Sequence, residues 1–382
     1  MSRQGEADER RMTPLAVKLA SRIAAAGPIP VRDYMAACLA DPDYGYYRAQ
    51  QAIGSAGDFI TAPEISQVFG ELLGLWSAVV WQQMGAPSSF QLVEIGPGRG
   101  TMMADTLRAT RRVPGFADAA KIVLVEPSPV LQARQKEALA RARDDMRWLT
   151  DLADVASGPT ILLANEVLDV LPITQLVRAE AAWHERTIAL DDNGALAFGL
   201  DSEPWPGPLP AVAATAPAGS ILEVRGLRGV ARDLSRMAGA GSFAALLIDY
   251  GHEATGFGDT LQAVRRHETE HPLASPGEAD LTAMVDFEAA AAAFADVGLV
   301  AERLVTQAEF LGALGIAERA SRLMSANPSR AGEIEMGAAR LISPQGMGTR
   351  FKALGLRSAD VPSLPGFPQQ PDAASPAPAA AR

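Results

Sequence analysis

Two short stretches carry residues whose types and spacing could do chemistry. The first, His267-Glu268-Thr269-Glu270-His271, fits H-E-x-x-H. On a helix, two histidines so spaced hold zinc and the glutamate activates a water. The second is Glu94-Ile95-Gly96-Pro97-Gly98-Arg99-Gly100, alternate glycines behind an apolar run ending at Ile95. Glycines there let the backbone turn sharply and approach a ligand with no Cβ in the way. A helix starting near Thr101 adds free N–H groups and positive potential.

The zinc reading is weak on the sequence's own terms. His271 precedes Pro272, and a residue before proline is pushed out of helical backbone angles. The segment has no apolar face to bury a helix. A structural or catalytic zinc needs a third protein ligand, and His184, His252 and the remaining acids form no familiar downstream pattern. No metal is expected, and the stretch reads as a loop.

The glycine loop is more informative. A P-loop would need a lysine that is absent here, and a dinucleotide fold prefers G-x-G-x-x-G. This loop is G-x-G-x-G, with Glu94 two residues before the first glycine. An acid there is unhelpful against a pyrophosphate and suits a cationic ligand. S-adenosylmethionine carries a sulfonium and an ammonium, and the loop resembles the E/D-x-G-x-G-x-G signature of class I methyltransferases. Glu94, Gly96, Gly98 and Gly100 are then expected to cradle its methionine end. Glu126 closes the next apolar run, "IVLVE", and an acid ending the second strand can take both ribose hydroxyls. The alternative for Glu126 is a solvated strand-end charge. Trp148 could stack on the adenine or belong to the core.

A third run, "LLANEVLDVLP", ends in Asn165, Glu166 and Asp169. Ligands of parallel sheets lie at the carboxyl ends of the strands, so this edge should face the transferred methyl, with Asn165 on the cofactor side. Methyl transfer from a sulfonium is an in-line displacement, which mainly demands alignment and exclusion of water. Two carboxylates suit a guanidinium, which they grip by paired hydrogen bonds. Asp169 alone could equally cap the following helix.

These residues need a scaffold, and the chain is patterned to supply one. It has 382 residues, 48% of them hydrophobic and 21% charged, ample for a sizeable core. Thr13 caps a helix that opens on Pro14 and stops at Gly27, with Leu15, Leu19 and Ile23 on one face. A second short helix ends before Pro42. A polar, glycine-rich stretch follows, then an amphipathic helix ending at Gly85. From "FQLVEIG" onward, buried runs alternate with helices, which implies a mainly parallel sheet with helices on both faces. "TQLVRAEAAWHERTIALDDNGALAFGL" breaks the alternation and reads as antiparallel strands with an Asn-Gly turn. "SPGEADLTAMVDFEAAAAAFADVGL" reads as helical after about Asp280. The expected organisation is an N-terminal helical and loop cap over 1–88 and a core over 89–360. A β-rich insertion at about 172–240 and a disordered Pro/Ala-rich tail over 361–382 complete it.

A net charge of −11 argues against bulk affinity for nucleic acid or an anionic membrane. No run of about 18 apolar residues suggests a membrane span. The single cysteine, Cys38, is expected as a small buried hydrophobe, and a reducing compartment, the cytoplasm, is the default. No secretory signal is recognisable.

The segments "GDFITAPEISQVFGE", "VEIGPGRGTMMADTLR", "NEVLDVLPITQ", "DYGH", "GDTLQAVRRH", "PGEADLTAMVDF", "TQAEFLGALGI" and "MGTRFKALG" resemble the MidA family, also called DUF185. The likeness runs from about Pro28 to Gly355. It implies a class I, Rossmann-like methyltransferase fold using S-adenosyl-L-methionine. Mitochondrial members are arginine methyltransferases of the complex I assembly factor 7 type. For those relatives it implies symmetric dimethylation of an arginine on a core complex I subunit, here expected to be of the 49 kDa type. Glu166 and Asp169 then orient the acceptor. Asp58, in the family-like Gly57-Asp58-Phe59, closes over the cofactor with Thr61 and Ser66. His267 ends "QAVRRH" and is placed near the acceptor cleft. Relatives often carry N-E-F-F-D-A where this chain has Val167, Leu168 and Val170. Methylation of a small molecule and a cofactor-binding assembly chaperone without turnover are the alternative readings.

Overall fold

The computed structural model describes residues 12–48, 61–180 and 182–369. Its centre is a sheet in which Arg147–Leu149, Ala120–Val125, Phe90–Ile95, Thr160–Asn165 and Phe243–His252 run parallel in that spatial order. Phe351–Arg357 closes the far side antiparallel to Phe243–His252. Alternate residues of each strand feed opposite faces. Leu92, Ile122 and Leu163 pack against the helices Gln67–Gln83 and Thr101–Thr110. Val93, Val123 and Leu162 pack against Arg228–Ala238 and Phe287–Ala295. Burying both faces explains why these runs read as continuously apolar, and each filled Leu, Val or Phe position contributes roughly 1.5–3 kcal/mol. The fold is the Rossmann-like α/β arrangement expected.

The insertion is an antiparallel sheet of Ile173–Ala179, Ala182–Leu190, Leu196–Pro204 and Ile221–Arg225. Its first and second strands cover Pro14–Ala26 and Val31–Ala40, which bury Leu15, Leu19, Tyr34 and Cys38 against Ile173 and Ile188. Thr13 caps the first of these helices, accepting from the Ala16 N–H at 3.0 Å. Cys38 is fully buried, and burial pushes its thiol up to about 12. Among the described residues no helix is long and apolar enough to cross a membrane.

Three expectations need correction. Asp280–Thr282 is a strand, and the helix begins only at Phe287. Asp280, Leu281 and Thr282 pair with Gln262–Val264, and the Asp286 carboxylate caps the helix by accepting from the Ala289 N–H at 2.9 Å. "HETEHP" is not a loop. Gln262–Arg265 and Glu268–Glu270 form a hairpin joined by Arg266 and His267. The start of the Pro/Ala-rich tail is packed: Val361, Leu364 and Phe367 enter the core, and the Trp76 indole donates to the Pro365 carbonyl at 3.0 Å. Residues 370–382 lie outside the described residues.

Candidate active site

At the carboxyl end of the parallel strands lies a cavity of about 530 Å³. It is lined by Glu94, Gly96 and Gly98 from the glycine loop, by Asn165, Glu166 and Asp169 from the third core strand, and by His267 from the hairpin. Residues widely separated in the chain thus meet because the parallel strands all end on one edge.

The loop needs its glycines. Gly96, Gly98 and Gly100 have φ of +60°, +55° and +82°, a region that costs other residues roughly 1–2 kcal/mol. At Gly96 a Cβ would also sit 3.1 Å from Val167 Cγ2. Glu94 is 1% exposed, and its Oε2 has no hydrogen-bond partner among the described residues. Burial alone pushes its carboxyl up to about 8. A buried acid left open toward a cavity is suited to an ammonium group, which would supply both the charge and the donors.

Glu126 is placed differently from the other acids. It is buried at the end of the second core strand but does not line the cavity. Its oxygens accept from the Ser128 N–H at 2.8 Å and the Gln135 amide at 3.1 Å. Gln135 also accepts from the Trp148 indole at 3.1 Å, so Trp148 is held at the sheet edge beside Lys136. Asp58 lies outside the described residues, whereas Thr61 lines the cavity and Ser66 caps Gln67–Gln83.

The opposite half of the cavity is acidic. Asp169 and Asn165 are 4% and 9% exposed, and Asp169 Oδ1 and Asn165 Oδ1 lack partners among the described residues. Glu166 adopts a left-handed φ of +54° and is held by the Asn165 amide at 2.9 Å and the Ala62 N–H at 3.3 Å. Burial, then Asp249, pushes Glu166 up to about 7. The same causes, with Glu166 and Asp280 added, hold Asp169 well above the usual carboxylate range. Tyr47, Tyr250 and Asp280 complete this wall.

Several contributors escaped the sequence reading. The Asp249 carboxylate collects the backbone N–H groups of Val167, Leu168 and Asp169 at 3.1, 2.8 and 3.1 Å. Arg225, at the end of the insertion, donates to the carbonyls of Asp169, Leu171, Ala283 and Met284. Glu64 accepts from Arg99 at 3.2 Å and from the Thr101 hydroxyl, which ties the short helix Ala62–Ile65 to the glycine loop. "DYG" and "PGEAD" were visible as motifs, but nothing local marks Asp249 and Asp280 as neighbours of Asp169. The histidine pair has no helical face: His267 sits in the hairpin turn, and His271 packs against Phe198 at 5.8 Å.

An open parallel sheet with a glycine loop, an unpartnered acid beneath it and an acidic wall at the next strand defines a Rossmann-like methyltransferase. The chain belongs to the family described as "Putative S-adenosyl-L-methionine-dependent methyltransferase", which it matches over residues 72–305. It is 36% identical to protein arginine methyltransferase NDUFAF7, mitochondrial, of Danio rerio, covering 87% of this chain and 84% of that one. The human protein of the same name is 33% identical, over 92% of this chain and 85% of its own. Among solved structures, a Burkholderia thailandensis protein bound to S-adenosyl-homocysteine superposes with a TM-score of 0.83 at 27% identity, covering 96% and 97% of the two chains. S-adenosyl-L-methionine is the cofactor of the family. The open Glu94 carboxyl and the Cβ-free loop fit its charged methionine end.

Proposed function

We propose that this methyltransferase acts on an arginine side chain of a protein, a complex I subunit of the 49 kDa type. The observation that carries the reading is the wall of Glu166, Asp169 and Asp280 facing the same cavity as the glycine loop. The name shared by its relatives supports it.

When bound, S-adenosyl-L-methionine supplies an electrophilic methyl. Glu94 and the backbone of Gly96 and Gly98 would hold its methionine end, while Gly100, which does not line the cavity and whose N–H and carbonyl pair with Pro97 and Ala104, would shape the loop. Glu126 would serve its ribose, using acceptor capacity left beside Ser128 and Gln135. Glu166 and Asp169 would grip a guanidinium through paired hydrogen bonds and fix one nitrogen toward the methyl. A guanidinium that takes up a methyl cation must also lose one proton to remain singly positive. Carboxyls whose proton affinity is raised, as at Glu166 and Asp169, are suited to accept it. His267, which lines the cavity, is a further catalytic candidate, and Asp58, outside the described residues, a further cofactor-binding one. The buried lone thiol is in keeping with a reducing compartment, the cytoplasm for a bacterial chain.

The test is methyl transfer to the purified 49 kDa-type subunit, read by mass spectrometry. Methylated arginine is expected with the wild type. Asp169→Asn is expected to abolish transfer while S-adenosyl-homocysteine still binds. An unmodified subunit, with methyl groups appearing instead on a small molecule, would overturn the reading.

A further inference from the structure

The acidic wall accounts for one charge on the acceptor, but the cavity also carries the opposite charge. Arg340 and Arg350 line it too. Both are exposed, and neither side chain makes an ion pair or hydrogen bond among the described residues. In a chain of net charge −11, what sets these two guanidiniums apart is that both line one cavity opposite an acidic wall. Arg99, by contrast, is already paired with Glu64.

Their positions follow from the fold. Arg340 lies three residues after Gly337, whose Cα side abuts the Ile65 carbonyl, so it continues the helix face turned toward Ala62–Ile65. Arg350 directly precedes Phe351, which packs on Tyr250 at 5.6 Å, and its carbonyl accepts from the Gly251 N–H at 3.3 Å. That strand is three places along the sheet from the glycine-loop strand, roughly 14 Å at about 4.8 Å per strand. Glu126 lies in the other direction. Arg350 therefore belongs to the acceptor half of the cavity.

We infer that Arg340 and Arg350 are specificity-determining residues that bind a carboxylate on the acceptor, an Asp or Glu close in sequence to the methylated arginine. The inference rests on the protein-arginine reading above and narrows its substrate to arginine in an acidic context. The wall of acids takes the guanidinium, and the arginine rim takes its acidic neighbour. A bipolar site of this kind also rejects polybasic segments, because a second cation would face two guanidiniums.

The test uses the full chain saturated with S-adenosyl-homocysteine and fluorescent peptides holding one central arginine. A single Glu, Gln or Lys is scanned through the four positions on each side, and binding is read by anisotropy. At one or more positions Glu is expected to bind roughly five- to tenfold tighter than Gln and Lys weaker than both, with the spread shrinking at high salt. The R340E/R350E variant is expected to reverse the order in favour of Lys, with S-adenosyl-homocysteine affinity unchanged. Equal binding of all Glu, Gln and Lys peptides overturns the inference while leaving arginine recognition standing. A loss of S-adenosyl-homocysteine affinity in the variant also overturns it, because the arginines would then be holding the cofactor's own carboxylate. Binding of no arginine peptide removes the protein-acceptor reading and this inference together.

Discussion

The Asp249 carboxylate accepts a hydrogen bond from the backbone N–H of Asp169 at 3.1 Å, so one acid fixes the backbone that aims another. The same oxygen takes the N–H groups of Val167 and Leu168, and the other oxygen takes that of Tyr250. Glu166 and Asp169 thus sit on a turn pinned to the neighbouring strand. Asp249→Ala would strand those donors in a buried place, at a cost of about 2–4 kcal/mol. Melting should drop by several degrees and methyl transfer should be lost. Asp249→Asn keeps an acceptor oxygen and should fall between. Thermal melts read beside a transfer assay check this, and an Ala variant as stable and active as the wild type would sink it.

Glu94 predicts how stability depends on pH. Its carboxyl moves from an ordinary 4.5 to about 8 on folding. Between those values the folded chain binds the proton more strongly than the unfolded chain. The contribution is therefore complete below about pH 4.5 and drains as pH rises through about 8. Glu94→Gln has no proton to lose. Between about pH 5 and about pH 9 the wild type should lose on the order of a few kcal/mol relative to this variant in urea melts. A constant difference across that range would contradict the assignment.

Arg225 couples the insertion to the site. One planar guanidinium reaches carbonyls on both sides of the acceptor wall, a geometry that an ammonium cannot copy. Arg225→Lys should cost about 1–3 kcal/mol and lower kcat by about tenfold or more. S-adenosyl-homocysteine affinity should stay near that of the wild type, since Arg225 donates to the Asp169, Leu171, Ala283 and Met284 carbonyls and to none of the glycine loop. Calorimetry separates the two, and a kcat equal to wild type would refute a positioning role.

The glycine loop is testable through Gly98, whose φ is +55°. A valine there is β-branched in a left-handed position, costs roughly 1–2 kcal/mol in backbone strain and intrudes on the ligand. Gly98→Val is expected to abolish calorimetric binding of S-adenosyl-homocysteine. Undiminished binding would move the cofactor elsewhere.

His267 has φ of +64° and follows Arg266 at +53°, the paired left-handed angles of a tight hairpin turn. Asparagine tolerates that conformation, so His267→Asn should preserve the hairpin and the cofactor affinity. Methyl transfer is expected to fall by at least about tenfold. Retained turnover would leave His267 with a purely structural place.

Much of this site was legible in the chain because its signals are local. Thr13, Pro14 and Gly27 mark a helix by capping chemistry that involves only near neighbours. The runs ending at Ile95, Val125 and Asn165 declare a parallel sheet because strands buried on both faces must be apolar throughout. The glycines after Ile95 and the acid before them announce a cationic ligand through backbone freedom and charge alone. The strand at Asp280 and the hairpin at His267 were missed because their hydrogen bonds go to segments distant in sequence. Tertiary pairing there overrode a local helical pattern and a proline that suggested a loop.

What the sequence determined by itself was the fold class, the cofactor loop and the candidate acids Glu94, Glu166 and Asp169. Only the tertiary structure decided that Glu126 is not among the residues lining the cavity, that Asp249 and Arg225 hold the turn carrying Glu166 and Asp169, and that Asp280, Arg340 and Arg350 join the same space. The reason is physical. Helix caps and strand burial are written in residues a few positions apart, whereas a site at the edge of a parallel sheet is assembled from strand ends tens of residues apart, at Ile95, Asn165 and His252. Their charges meet only after the sheet has brought the strands to about 4.8 Å spacing.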